Sequence, residues 1–381
     1  MTPRNYDVII VGAGQAGCAA AYDLAEAGLD VLLLDRKAFP RVKPCAGALT
    51  VKALKRLRFS IAPVIRSVAR ELEMSLHQDQ PKRFASAHPV AAMTVRAELD
   101  QFCLDQALAK GAQIRIVPDI EAISRNPGDV MLRVAGGDTL KARFVIGADG
   151  ANSRVRRLIG LKPTPRALAL EAHAPCPSGG PAPIMRFDFG AVAGGYGWVF
   201  PKGDHINVGL YSQDPAVTFS KADLAAYAVR ALGGTRIECP VGYPLGIGAG
   251  RLRQDERRLF LVGDAGGFAE PMLGEGIHNA IASGQAAAQA IITAPEGRTA
   301  AAFAHNLRQT RADMNACAAA ANWFYPASRL SFRVLSCRPA RFALMRGFAA
   351  GKTFRQIAYS GAFTPLSAIA AVPSINETIW A

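Results

Sequence analysis

The apolar run of YDVIIV (residues 6–11) passes without a break into GAGQAG. In AAAYDLAEAGL apolar positions then recur every three to four residues, and DVLLLDR follows as a second apolar run. Strand, glycine turn, helix and strand within about thirty residues predict a right-handed βαβ unit with parallel strands. A less regular stretch extends from Lys37 to about Val90. VRAELDQFCLDQALAKGA (95–112) has Leu99, Phe102, Cys103, Ala107 and Leu108 on one side, which predicts an amphipathic helix. Residues 114–146 alternate between short strands and turns, NPGD among them, and close on the buried-strand pattern ARFVIGADG. From about Pro165 to Pro240 the segments IMRFDFG, GYGWVFP and HINVGLY, punctuated by Gly and Pro, predict a separate sheet that walls a pocket. LFLVGDAGG (259–267) returns to the style of the first unit, and an alanine-rich helix starts near Gly276. The remainder reads as helical, with exposed-looking aromatics at Trp323, Phe324 and Tyr325.

These elements predict an α/β fold. A Rossmann-like nucleotide domain is interrupted by an inserted antiparallel or mixed substrate-binding sheet and followed by a helical C-terminal region. The expected division is residues 1–165 and 256–292 for the two parts of the nucleotide domain, 166–255 for the sheet and 293–381 for the helices.

With 381 residues, half of them hydrophobic, the chain buries a full core. Seven cysteines are dispersed without a CxxC pair, which argues against a disulfide scaffold, a zinc site or an iron–sulfur centre, and no metal is expected. Polar residues break every candidate span of 18 residues, and the glycine loop lies too near the start for a cleaved signal. The expected location is the cytoplasm, with a peripheral position on the inner face of a membrane as the variant. The net charge of +14 carries no aromatic-basic repeat, so nucleic acid is not expected; a solvated surface, anionic lipid or a phosphorylated ligand accounts for it.

Gly12, Gly14 and Gly17 stand at GxGxxG spacing between strand and helix. The first glycine makes the turn, the second lets a pyrophosphate reach the backbone, and the third lets helix and strand pack closely. Free N–H groups at the helix start hold the phosphate charge. Asp35, with Arg36 beside it at the end of the second strand, is placed for an adenosine ribose. This motif alone leaves FAD and NAD open.

VIGADGANSRVR (145–156) and LFLVGDAGGFAEPMLGEGIHNAIASG (259–284) resemble two further fingerprints of the large FAD-dependent family that includes aromatic hydroxylases and geranylgeranyl reductases. The resemblance implies FAD. It puts Asp264 at the ribityl hydroxyls, Gly274, Gly276 and Ile277 near the pyrophosphate and the isoalloxazine edge, and Arg96 near the phosphates. Asp149 then supports the cofactor-domain turn, against the plainer reading of Asp149 and Asp264 as turn caps.

KPCAGAL (43–49) and GYGWVFPKGDHINVGL (195–210) are similar to segments of the geranylgeranyl reductase branch, so the match spans most of residues 6–284. Ala46 and Ala48 depart from that branch's glycines, and Tyr211 stands where it usually has a glycine. The branch places the cysteine, here Cys45, near the reacting carbon, and an ordinary thiol is protonated at neutral pH and able to donate. Tyr196, Trp198 and Phe200 share one strand face. They read as plain core or, on the resemblance, as the lining of a tunnel for a polyprenyl chain, with Pro201, Lys202 and Gly203 as the turn beyond. His205 reads as surface or turn, and His278 as helix packing.

The leading expectation is reduction of isolated C=C bonds in a geranylgeranyl or related prenyl chain. Electrons come from NAD(P)H or a ferredoxin-like protein, and the substrate is a prenyl small molecule or lipid. A flavin monooxygenase and a non-catalytic flavin-containing lipid-binding protein are the alternatives. The oligomeric state is open, and a self-contained cofactor domain is compatible with a monomer.

Overall fold

The computed structural model describes residues 5–176, 183–234, 236–248, 258–295 and 297–359. The chain begins with β1 (Asn5–Val11), α1 (Gln15–Glu26) and β2 (Val31–Asp35), the expected βαβ unit. Next come β3 (Ala48–Thr50), α2 (Val51–Leu54), β4 (Ile65–Ala69), β5 (Glu71–Leu76), β6 (Lys82–Ala85), β7 (Ala91–Thr94) and α3 (Arg96–Ala109). The meander β8 (Gln113–Ile116), β9 (Ile120–Arg125), β10 (Val130–Val134) and β11 (Thr139–Gly147) leads to α4 (Arg154–Leu158). Four long strands follow, β12 (Arg166–Pro175), β13 (Met185–Phe189), β14 (Gly195–Pro201) and β15 (His205–Ser212), then α5 (Lys221–Leu232), β16 (Glu238–Gly246) and β17 (Leu259–Leu261). The end is helical: α6 (Ile277–Thr293), α7 (Thr299–Asn306), α8 (Arg308–Phe324), α9 (Ser328–Leu335), α10 (Arg338–Ala349) and α11 (Phe354–Tyr359).

One seven-stranded sheet has the order β8-β2-β1-β11-β10-β9, with β17 parallel to β11. β1 and β2 are apolar because α1, α3 and α6 cover one face of this sheet, and Leu24, Leu33, Leu99 and Ile281 are fully buried between them. The second sheet, β16-β12-β15-β14-β13-β5-β6, is antiparallel except where β5 runs parallel to β13. Its aromatic face packs against α8, α9 and α10.

Two expectations change. The stretch from Lys37 to Val90 is not irregular: it holds β3 to β6, and β5 and β6 extend the second sheet although they lie in the part of the chain assigned to the nucleotide domain. β6 pairs with its neighbour β5, but β13, the other partner of β5, lies more than a hundred residues downstream, so no local turn signal marks that pairing. Phe324 is buried, with its ring 4.8 Å from Phe189; of its two neighbours, Trp323 is exposed and Tyr325 is half-buried.

Candidate active site

A single cavity runs from the β1–α1 turn to the aromatic face of the second sheet. Gly14, Cys45, Arg96, Tyr196, Trp198, Phe200, Asp264, Gly274, Gly276 and Ile277 all line it. It joins a cleft through Gly14, Lys43, Gly150 and Tyr243, and that cleft is bordered by Gly12, Asp35, Arg36 and Asp149. Gly17 lines neither: a Cβ there would stand 1.9 Å from the Gly12 carbonyl oxygen, so its place is the close contact of helix with turn.

The cleft has the polarity of a dinucleotide site. Ala13 N–H donates to Asp35 Oδ2 at 2.9 Å, and Lys37 N–H donates to Oδ1 at 3.1 Å, which fixes the carboxylate at the end of β2. A Cβ on Gly14 would meet only the Arg41 and Lys43 side-chain tips, at 3.7 and 3.9 Å, so cations converge on a turn that could hold a pyrophosphate. Asp149 accepts from Ser153 Oγ and from the Arg154 and Val155 N–H groups, and so caps α4 and holds the turn at Gly150. Asp264 lies beside Gly276, and burial raises its pKa above the usual carboxylate value. Polar hydroxyls of a ligand would supply the donors that water no longer offers it.

Between the cleft and the apolar end lies a buried polar cluster. Arg96 donates to both oxygens of Asp100, at 2.9 to 3.1 Å, and Gln15 Nε2 donates to the same carboxylate at 2.9 Å. Burial works against the charge of Asp100, but Arg96, Lys43 and Arg41 outweigh it and hold its pKa below the usual range. Arg96 also lies against Cys45.

The Cys45 loop is pinned from below. Cys45 N–H donates to Glu171 Oε1 at 2.9 Å, and Lys202 Nζ donates to the carbonyls of Ala46 and Thr94. Sequence reasoning missed both anchors. Lys202 lies in the turn between β14 and β15, as expected, but points inward: only 2% of its surface is accessible, and burial lowers its pKa to about 8. Its partners lie 108 and 156 residues away, so nothing near PKG announces them. Glu171 carried a signal, a lone acid within the apolar run ALALEA of β12; burial raises its pKa.

At the apolar end, Tyr196, Trp198 and Phe200 do share one face of β14. Tyr196 Oη donates to the Leu273 carbonyl, and Trp198 Nε1 donates to Asn207 Oδ1 at 2.7 Å, so each polar tip is satisfied and each ring presents carbon. Tyr211 packs over Gly274, where a Cβ would come 2.7 Å from its ring, and its hydroxyl donates to the Pro271 carbonyl at 2.9 Å. It therefore builds the wall between the glycine turn and the aromatic strand. Ala46 and Ala48 line the same cavity.

His205 is half-buried, paired with Asp204 and packed against His173, with ring centroids 4.8 Å apart and the planes tilted by 33°. His278 is buried at the start of α6, where burial and then Lys52 push its pKa down to about 4. The unfolded chain takes up this proton near pH 6.5 and the folded chain only near 4. The resulting stability is complete above 6.5 and lost as the pH falls between these values. Urea unfolding at pH 7 and pH 5 is expected to show wild type losing about 2 kcal/mol more than His278→Gln. Equal losses in the two proteins would refute a buried neutral imidazole.

The FAD binding domain family matches residues 5–173. Digeranylgeranylglycerophospholipid reductase 1 of Methanopyrus kandleri is 30% identical over 318 residues, covering 78% of this chain and 84% of that protein. Among solved structures, a geranylgeranyl bacteriochlorophyll reductase-like protein from Thermoplasma acidophilum superposes with a TM-score of 0.76 at 20% identity. That superposition covers 93% of this chain and 98% of the other. The flavin-dependent brominase Bmp2 superposes with a TM-score of 0.73 at 16% identity, covering 92% and 94%. At such identities the two superpositions establish the shared fold. The open Gly14 turn, the fixed Asp35 and the polar-to-apolar cavity beyond them fit an FAD laid from cleft to cavity.

Proposed function

The chain belongs to the family of FAD-binding oxidoreductases related to the geranylgeranyl and digeranylgeranylglycerophospholipid reductases, and from that premise we propose that it saturates isolated C=C bonds of a geranylgeranyl or related prenyl chain. The observation that carries this reading is the continuity of one cavity from Gly14, through Cys45, to the aromatic face of Tyr196, Trp198 and Phe200. A long apolar tail fits that face, which offers ring carbon and no unpaired polar tip.

When bound and reduced, FAD supplies the hydride equivalent. The protein's own part is to exclude water with the aromatic wall, to hold the alkene beside the Cys45 loop and to supply the proton that completes the two-hydrogen addition. Cys45 Sγ is the proton donor in this proposal. Arg96 beside it stabilises the thiolate left behind, which regains its proton from solvent before the next turnover. Glu171 and Lys202 act on the loop backbone and so position the thiol. Electrons reach the cofactor from NAD(P)H or a ferredoxin-like carrier, and the charge of +14 supports a peripheral contact with the membrane that stores such lipids.

Product mass after incubation with a geranylgeranyl-bearing lipid, a reductant and ¹⁸O-labelled oxygen tests the reading. A gain of two hydrogens per double bond with no label supports it, and a labelled hydroxyl would replace it with a monooxygenase. Cys45→Ala is expected to slow single-turnover alkene reduction about a hundredfold while FAD affinity stays unchanged. An unaltered rate would remove the thiol from the chemistry.

A further inference from the structure

The charge of this chain is unevenly placed. Residues 308–359 contain nine lysines and arginines against one acid, Asp313, and Asp313 is already paired with Arg355 at 2.9 Å. The exposed large aromatics among the described residues are Trp323, Phe342 and Tyr359, all in this same stretch. On α9, Leu330 and Val334 stand exposed one turn apart, with Arg329 and Arg333 exposed beside them at the same spacing. At α10 the pattern repeats as Arg338 and Phe342. Scattered exposed apolar side chains are ordinary, but aliphatic and aromatic groups set among charge of a single sign on consecutive helices are the composition of an interfacial surface.

We propose that the outer face of α9 and α10 docks onto a bilayer containing anionic phospholipid. Headgroup phosphates accept from the guanidinium groups of Arg329, Arg333 and Arg338, while Leu330, Val334 and Phe342 enter the acyl boundary beneath them. A bilayer receives charge and carbon in one plane, with no shaped socket required of either side. No helix among the described residues is long and apolar enough to cross a membrane, so the contact lies in the surface. The inner side of α9 reaches toward the cavity: Phe332 packs 6.4 Å from Phe189, and Phe189 packs 5.9 Å from Tyr196 of the cavity wall. Phe332 and Phe189 thus stand between the docking face and the wall of the proposed lipid chamber. That last connection rests on the prenyl-reductase reading. The docking does not, and its test involves no turnover.

The test is flotation of the full-length flavin-loaded protein with vesicles of phosphatidylcholine alone, or of equal parts phosphatidylcholine and phosphatidylglycerol. The protein is expected to float with the anionic vesicles, to remain behind with the neutral ones and to be released as salt rises. Arg329→Glu/Arg333→Glu is expected to weaken partitioning roughly thirtyfold or more. Leu330→Ser/Val334→Ser is expected to weaken it too, with bound-flavin absorbance unchanged in both variants. Failure of wild type to float, equal flotation with both vesicles, or an arginine variant that floats as before would overturn the proposal. So would capture of an acidic ferredoxin-like protein by this face in the absence of any vesicle binding.

Discussion

Gly17→Ala is expected to yield no flavin-loaded protein, whereas Gly14→Ala yields a folded protein that holds FAD weakly. The two positions are three residues apart in one motif, and their surroundings decide the difference. A Cβ on Gly17 would lie 1.9 Å from the Gly12 carbonyl oxygen and 3.4 Å from the Ala148 side chain. Backbone cannot yield there without parting α1 from β1, at a cost on the order of 3 kcal/mol. A Cβ on Gly14 meets only flexible side-chain tips at 3.7 and 3.9 Å, and its backbone already has φ −84°, which alanine adopts freely. The added methyl instead occupies the surface offered to the pyrophosphate and displaces one charge-assisted hydrogen bond. That loss is worth ~2 kcal/mol, or roughly thirtyfold in affinity. Flavin-fluorescence titration and urea unfolding of both variants separate the effects. Unchanged FAD affinity in Gly14→Ala would mean that the phosphate lies elsewhere.

Arg96→Met is expected to destabilise the fold by about 3 kcal/mol. The cost comes from Asp100, which is fully buried and loses its two-pronged donor, leaving Gln15, Arg41 and the more distant charge of Lys43. Asp100 has its pKa held low in the native protein, so its contribution is present above the ordinary carboxylate value and lost as the pH falls through the depressed one. Without Arg96 the folded-state pKa rises. The deficit against wild type is therefore largest at neutral pH and shrinks as the pH drops toward the ordinary carboxylate range. Arg96→Met/Asp100→Leu is expected to recover most of the stability, because the pair is replaced by carbon of similar volume. Denaturant unfolding of both variants at two pH values is the measurement, and a double variant as unstable as the single one would place the cost elsewhere.

What the sequence made legible was local. The glycine turn, the acid ending β2 and the alternating aromatics of β14 each declare themselves within a few residues, because the geometry they serve spans one turn or one strand. The second sheet was legible only in part. β5 carries an alternating pattern, but its parallel partner β13 is remote in the chain, and parallel pairing leaves no hairpin signal. Lys202 shows the same limit at a single residue. A lysine between proline and glycine reads as a turn, and only carbonyls from the distant Cys45 loop and the end of β7 make it an interior anchor. Phe324 on α8 shows the limit too: Phe189, whose ring packs on it, comes from β13 of the second sheet, far back in the chain.

Anaerobic mixing tests the account at its centre. The purified yellow protein is reduced with dithionite, and geranylgeranyl diphosphate or a geranylgeranylated lipid is added in separate runs while flavin absorbance and product mass are followed. Reoxidation of the flavin in step with a gain of two hydrogens in the prenyl chain is the predicted result, and the faster substrate identifies the preferred head group. A flavin that stays reduced with both substrates until oxygen is admitted would contradict prenyl reduction by this site.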